Sequence, residues 1–387
     1  MRGLLAFALT ICALTATAQA ADGPVERITL AAELGGGHLV PLLSAGGELL
    51  LAAPSRSGEP LATALWRWQD GRTSRIAELS GIRTNHLRAL EGDGGGRRLL
   101  LGGGIPLAGA QQGVAYGWQV VELPPEGPPR LVWQSSDIAG LPANLEPSVA
   151  VDARGQRWAA LVPRSQAGRA MGGRLLVGEL PRSTPSLEYE FLLERDPSAA
   201  SDSEPSWFVR FAGASRLVVV AEGLPILLDV GADGVRRTPL AVPSPPARDA
   251  HVHEASATVW LTDDGAALHG YALPAHNSAP ATAPLTSAWR LGPAEVGFGH
   301  GRVLGSVGDR LAILGARDGR QMVAFVRVDG QHTPTVEKTV ALPGGAQPAG
   351  AWLSPDGATL VWTQVGTGGA RAPVFYRAAV ARLESVR

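Results

Sequence analysis

The stretch Ala351–Gln364, reading AWLSPDGATLVWTQ, constrains the fold of this chain more than any other. Pro355 presets φ for the first central position of a turn, Asp356 tolerates the second, and Gly357 accepts the left-handed conformation that closes it. The flanks are Trp352-Leu353 and Ala358–Gln364. The second is rich in β-branched and aromatic residues and alternates large with small, the period-two pattern of a strand. Such a hairpin cannot bury both faces alone. It needs a third and fourth strand, and then a neighbouring sheet on each side.

Looser copies of this hairpin recur along the chain. The first unit, His38–Leu79, reads HLVPLL, the turn SAGG, ELLLAA, ATALWRW, the turn Gln69-Asp70-Gly71 and RTSRIAEL. The second begins near His86, the third at SVAV, the fourth at WFVRF and the sixth at GRVLGSV. The fifth, opening DAHVH, is the least regular, and the seventh holds the hairpin above followed by PVFYRAAVARL, read as its third strand. Each complete unit offers four short strands separated by glycine turns, at a spacing of roughly 40–60 residues, the pattern of a β-propeller blade.

The seventh unit lacks a fourth strand, and the N-terminus has one to spare. Val25–Gly36, VERITLAAELGG, matches VEKTVALPGG at the end of unit six. The expected fold is therefore all-β: a single β-propeller over residues 22–387, with seven four-stranded blades, closed by the N-terminal strand completing the last blade. Six or eight blades are the alternatives, because unit five is irregular. Closure would also hide the sheet edges that invite aggregation.

Ser-Pro-Asp-Gly between a short apolar strand and TLVWTQ resembles the TolB-type, WD-repeat-like propellers of bacterial envelopes. The other units carry SAGG, DGGG, DARG, AGAS and VGDR in place of the full motif. The resemblance implies a periplasmic scaffold whose faces bind another protein, and it transfers no catalytic residue.

Residues 1–21 read as a secretory signal peptide. Arg2 supplies the charge, Leu4–Leu14 the apolar core and Ala18-Gln19-Ala20 the small-x-small cleavage site. Its loss takes one Arg and no acid, so the net charge moves from −1 to −2. The only cysteine, Cys12, falls in this segment, which leaves the mature chain without disulfides or thiolate chemistry. The expected location is the periplasm or the medium. No later apolar run approaches the ~18 residues of a transmembrane helix, and nothing in the charge favours nucleic acid. The expected partner is another envelope protein.

Candidate chemistry centres on Asp249-Ala250-His251-Val252-His253-Glu254. On a strand, Asp249, His251 and His253 point to one face, which suits a divalent metal. Polar residues lining a channel would give the same pattern. His38, His86 and His269 are placed by no spacing. The glycine runs precede no helix or Gly-Lys-Ser/Thr and read as turns, and Gly297–Gly301 as the link between blades five and six. Asp263-Asp264-Gly265 reads as a hairpin turn. There is no Gly-x-Ser-x-Gly elbow for a serine nucleophile and no calcium loop. The tryptophans in predicted strands (Trp66, Trp118, Trp158, Trp207, Trp260, Trp289, Trp352 and Trp362) read as packing between blades, with an aromatic ligand platform as the alternative.

The leading expectation is a non-catalytic binding or scaffolding propeller without a cofactor, using irregular segments such as Ile105–Gln112 and Arg164–Gly172 at one face. The alternative is a propeller enzyme, a metal-assisted hydrolase, lactonase or lyase, with its site at the central channel.

Overall fold

Ser354-Pro355-Asp356-Gly357 closes its hairpin as its composition requires. The Gly357 amide donates to the Ser354 carbonyl at 2.8 Å with Gly357 at φ +67°. The Asp356 carboxylate accepts the Ser354 hydroxyl and the Ala358 amide. The computed structural model describes residues 25–385 apart from 31–33, 35–38, 45–47, 55–60, 91–96, 107–113, 140, 142–146, 167–168, 193–205, 232–233, 242–246, 264–266, 276–282, 329–332, 344–347 and 366–372.

The described strands form seven antiparallel four-stranded sheets, which fixes the blade number at seven. The first strands of blades 1 to 6 are Val40–Leu43, Arg83–Leu90, Ser148–Val151, Trp207–Phe211, Ala247–His253 and Gly299–Val307. In blade 7 Pro348–Leu353, Thr359–Val365 and Pro373–Ala379 are followed outward by Glu26–Ile28, paired antiparallel to the third strand with Ile28 opposite Phe375. The N-terminal strand thus closes the ring. First strands of neighbouring sheets touch, blade 1 meeting blades 2 and 7, and blade 4 meeting 3 and 5. They are the innermost strands, and they line the central channel.

Seven apolar clusters hold the ring, one at each junction between consecutive blades. The closing junction buries Ile28, Val361 and Phe375 of blade 7 against Leu43, Leu49 and Trp68 of blade 1. Each fully buried large side chain contributes about 1.5–3 kcal/mol, so the closing junction is stabilised by the same kind of apolar burial as the others. Trp158, Trp260 and Trp362 are fully buried in three such junctions.

Two details depart from the sequence reading. The strand PVFYRAAVARL ends at Ala379, and Val380–Ser385 is helical. Val380 and Leu383, three residues apart on one helix face, are buried in the junction of blades 6 and 7, where strand alternation would have exposed one of them. The link between blades 5 and 6 is a helical turn, Pro293–Val296, with Gly297 and Phe298, and Gly299 already begins the inner strand.

Candidate binding site at the channel mouth

All seven inner strands run the same way along the channel, so their C-terminal ends meet at one mouth. A cavity of about 640 Å³ lies there, lined by blades 1, 2, 3, 5, 6 and 7. Arg88, Glu254 and Arg302 are its charged lining, and Leu87, Trp352 and Leu353 form part of its apolar wall. Arg88 and Arg302 are exposed, so water reaches the cavity. The segments 107–113 and 167–168 follow the second strands of their blades, which run back from this mouth. Of Ile105–Gln112 and Arg164–Gly172, the described strand ends Ile105-Pro106, Arg164–Gln166 and Arg169–Gly172 therefore belong to the opposite face, while 107–112 and 167–168 lie outside the described residues.

Asp249, His251 and His253 do lie on the innermost strand of blade 5, in the period-two relation expected of them. Each has a different partner. The Asp249 carboxylate accepts the Ala250 amide at 2.8 Å and faces the Arg210 guanidinium at 3.5 Å. His251 Nε2 meets the Ser306 hydroxyl of blade 6 at 2.9 Å. His253 is buried, and both ring nitrogens are engaged: Nε2 donates to the Gly308 carbonyl at 2.7 Å and Nδ1 accepts from the Ser256 hydroxyl. Ser256 in turn accepts from Thr258, and Thr258 from the Trp260 indole. Because a carbonyl oxygen only accepts, the contact with Gly308 requires a hydrogen on His253 Nε2. Among the described residues, no three His, Cys, Asp or Glu side chains converge as cation ligands.

No sequence motif marks the cationic side of the channel. Arg88 on the inner strand of blade 2 has one hydrogen bond, a long one of 3.5 Å to the Val151 carbonyl, and no ion pair among the described residues. Arg210 on that of blade 4 adds a 3.0 Å bond to its neighbouring Val209 carbonyl and lies over the Phe208 ring. Although Arg88 is open to water, desolvation by the surrounding channel wall, then Arg210, push its pKa down, while Asp152 and Glu254 act the other way. Asp152 is itself occupied by the Gln156 and Arg157 amides. Burial, then Arg210 and Arg88, hold the His86 pKa down to about 4. His251 is also pushed down to about 4, by burial first and then by His253, Arg88 and Arg210. Water reaches both rings, yet the surrounding channel wall and guanidiniums favour their neutral forms.

Elsewhere, Asp263 does more than end a hairpin strand. Its carboxylate pairs with buried His269 Nε2 at 2.8 Å and accepts the Ala267 amide at 2.9 Å.

These features define a class, the seven-bladed β-propeller of four-stranded antiparallel blades, here with a channel mouth that joins charged groups to apolar wall. No protein-family model matches the chain, and no curated protein matches it in sequence. Among solved structures it is similar to the β-propeller domain of Cps50 (Swd1) from Myceliophteria thermophila, with a TM-score of 0.53 and 13% identity over 92% of this chain and 98% of that one. It is also similar to a provisionally assigned 6-phosphogluconolactonase of Bacteroides uniformis, with a TM-score of 0.51 and 11% identity over 81% of this chain and 88% of that one. At these identities the likeness is one of fold. Among the described residues, no helix is long and apolar enough to cross a membrane.

Proposed function

We propose that this chain is an exported, non-catalytic binding propeller that takes its ligand or protein partner at the channel mouth. The observation that carries the reading is the 640 Å³ cavity into which six blades contribute. That volume falls within the range of roughly 300–1,000 Å³ typical of ligand pockets. A cavity joining apolar wall to a few polar groups is suited to recognition, and its rigid strands need no ordering when a partner arrives. Export follows from residues 1–21, which carry the pattern of a cleavable signal. Periplasmic residence and an envelope partner are the companions of that pattern and of the TolB-type resemblance.

A photo-crosslinking residue placed at Trp352 tests the mouth, and one at Val114, exposed on the opposite face, serves as control. With the protein expressed in its own compartment and adducts read by mass, we expect covalent products from position 352 and none from 114. Equal products from both positions, or products from 114 alone, would overturn the reading.

A further inference from the structure

We propose that the channel mouth binds a singly charged carboxylate, held by Arg88, while the ligand's apolar body rests on Leu87, Trp352 and Leu353. The inference rests on the mouth being the binding site and adds the chemical class of what enters it. Arg88 stands in the wall of the cavity with a single 3.5 Å hydrogen bond, which leaves most of its five donors unused among the described residues. Its strongest charged neighbour is another guanidinium rather than an acid. The positive potential of Arg210 disfavours a lone cation at Arg88, and an anion held by Arg88 relieves that repulsion. The planar fork of arginine matches a carboxylate in two parallel bonds. Arg302 adds positive potential from the wall of blade 6.

The expected charge of the ligand follows from the acids nearby. Arg210 is already faced by Asp249, and Glu254 lines the same cavity. A dianion such as a phosphate monoester would place a second negative charge in range of both acids, so one charge fits and two do not. Next to the guanidinium, the wall turns apolar at Leu87 and on the half-buried Trp352 ring. The ligand therefore carries its carboxylate beside hydrocarbon. A free aliphatic acid and the carboxyl end of an apolar peptide share that chemistry.

Calorimetric titration of the mature chain separates these sources and tests the site. The probes are octanoate, an acetylated Leu-Ala-Leu peptide with a free carboxylate, the same peptide as its carboxamide, and inorganic phosphate. We expect saturable binding of at least one carboxylate, and a loss on the order of tenfold or more for the carboxamide and for Arg88→Gln. Glu254→Gln should tighten binding, a gain that a misfolded variant cannot mimic. Octanoate binding alone assigns a free acid, and binding of the peptide acid alone assigns a chain end. The proposal is overturned if the carboxamide binds as well as the acid, if phosphate binds more tightly than either carboxylate, if Arg88→Gln changes nothing in a protein with native near-ultraviolet dichroism, or if no carboxylate binds into the millimolar range. If these titrations fail while position 352 still crosslinks and 114 does not, only the carboxylate assignment falls and the binding mouth stands.

Discussion

His253 of blade 5 donates through Nε2 to the carbonyl oxygen of Gly308 in blade 6 at 2.7 Å, so a residue on the motif DAHVHE ties two blades together. Its other nitrogen ends the hydrogen-bonded chain from Ser256, Thr258 and Trp260. Removing the ring leaves the Gly308 carbonyl and the Ser256 hydroxyl short of a partner. We expect His253→Ala to destabilise the propeller by about 1–3 kcal/mol, read as a lower denaturant midpoint at unchanged slope. A loss below a few tenths would mean that the bridge is replaced by water.

Glycine inside these strands has a packing cause. Trp260 covers Gly270 on the adjacent strand, with its ring atoms 2.8 Å from where a Cβ would sit. Trp158 covers Gly178, and Trp118 covers Gly102, in the same cross-strand relation. Gly270→Ala should therefore cost about 1–3 kcal/mol by overpacking, although alanine is ordinarily preferred to glycine in a strand. Thermal unfolding monitored by tryptophan fluorescence would show the sign.

Closure of the ring depends on a strand of three residues. Ile28, 4% exposed, is the side chain by which it enters the junction of blades 7 and 1. Ile28→Ala should cost about 2–5 kcal/mol. Deleting the strand would leave Pro373–Ala379 as an open edge, and concentration-dependent association on size-exclusion chromatography is the expected result.

The channel histidines set the direction of the acid response. His86 has a pKa near 4 in the folded chain, against 6.5 for an unperturbed imidazole. Between those values the unfolded chain binds the extra proton, so stability rises with pH across the window and is lost as pH falls through it. His251 acts in the same direction. His86→Asn should flatten the slope of unfolding free energy against pH between about 6.5 and 4. An unchanged slope would place the titration elsewhere.

Blade number and ring closure were legible because every repeat needs the same four strands to hide its faces, and because VERITL at one end supplied what PVFYRAAV at the other lacked. That Asp249, His251 and His253 share one strand followed from their alternation, whereas its place as the innermost strand of blade 5 is given by the sheet order. Their partners did not follow from alternation. Arg210 lies 39 residues from Asp249, and Ser306 and Gly308 each lie 55 residues from their histidines, distances that only blade-to-blade packing brings together. Arg88 and Arg302 are illegible for a related reason: a charge at an outward position of a strand looks the same in sequence whether that side faces a channel or open solvent. The signal available was the alternation within RTNHLRAL, which places Arg88 two residues beyond His86 at the bulged end of the strand. The Asp263–His269 pair was hidden by a turn-like Asp-Asp-Gly, whose first residue is strand and buried.

Blade 7 joins Glu26–Ile28 to Pro373–Ala379. During synthesis Glu26–Ile28 emerges well before Pro373–Ala379, so the ring has no way to shut until the strands of all seven blades have been made. Blades 1 to 6 can collapse one after another by local pairing, whereas the last step must wait for the longest loop in the molecule to close. Until then an open blade and a bare apolar junction remain at the two ends of the stack. The timing of that final docking, rather than the making of any single hairpin, is where a holding chaperone would have its effect.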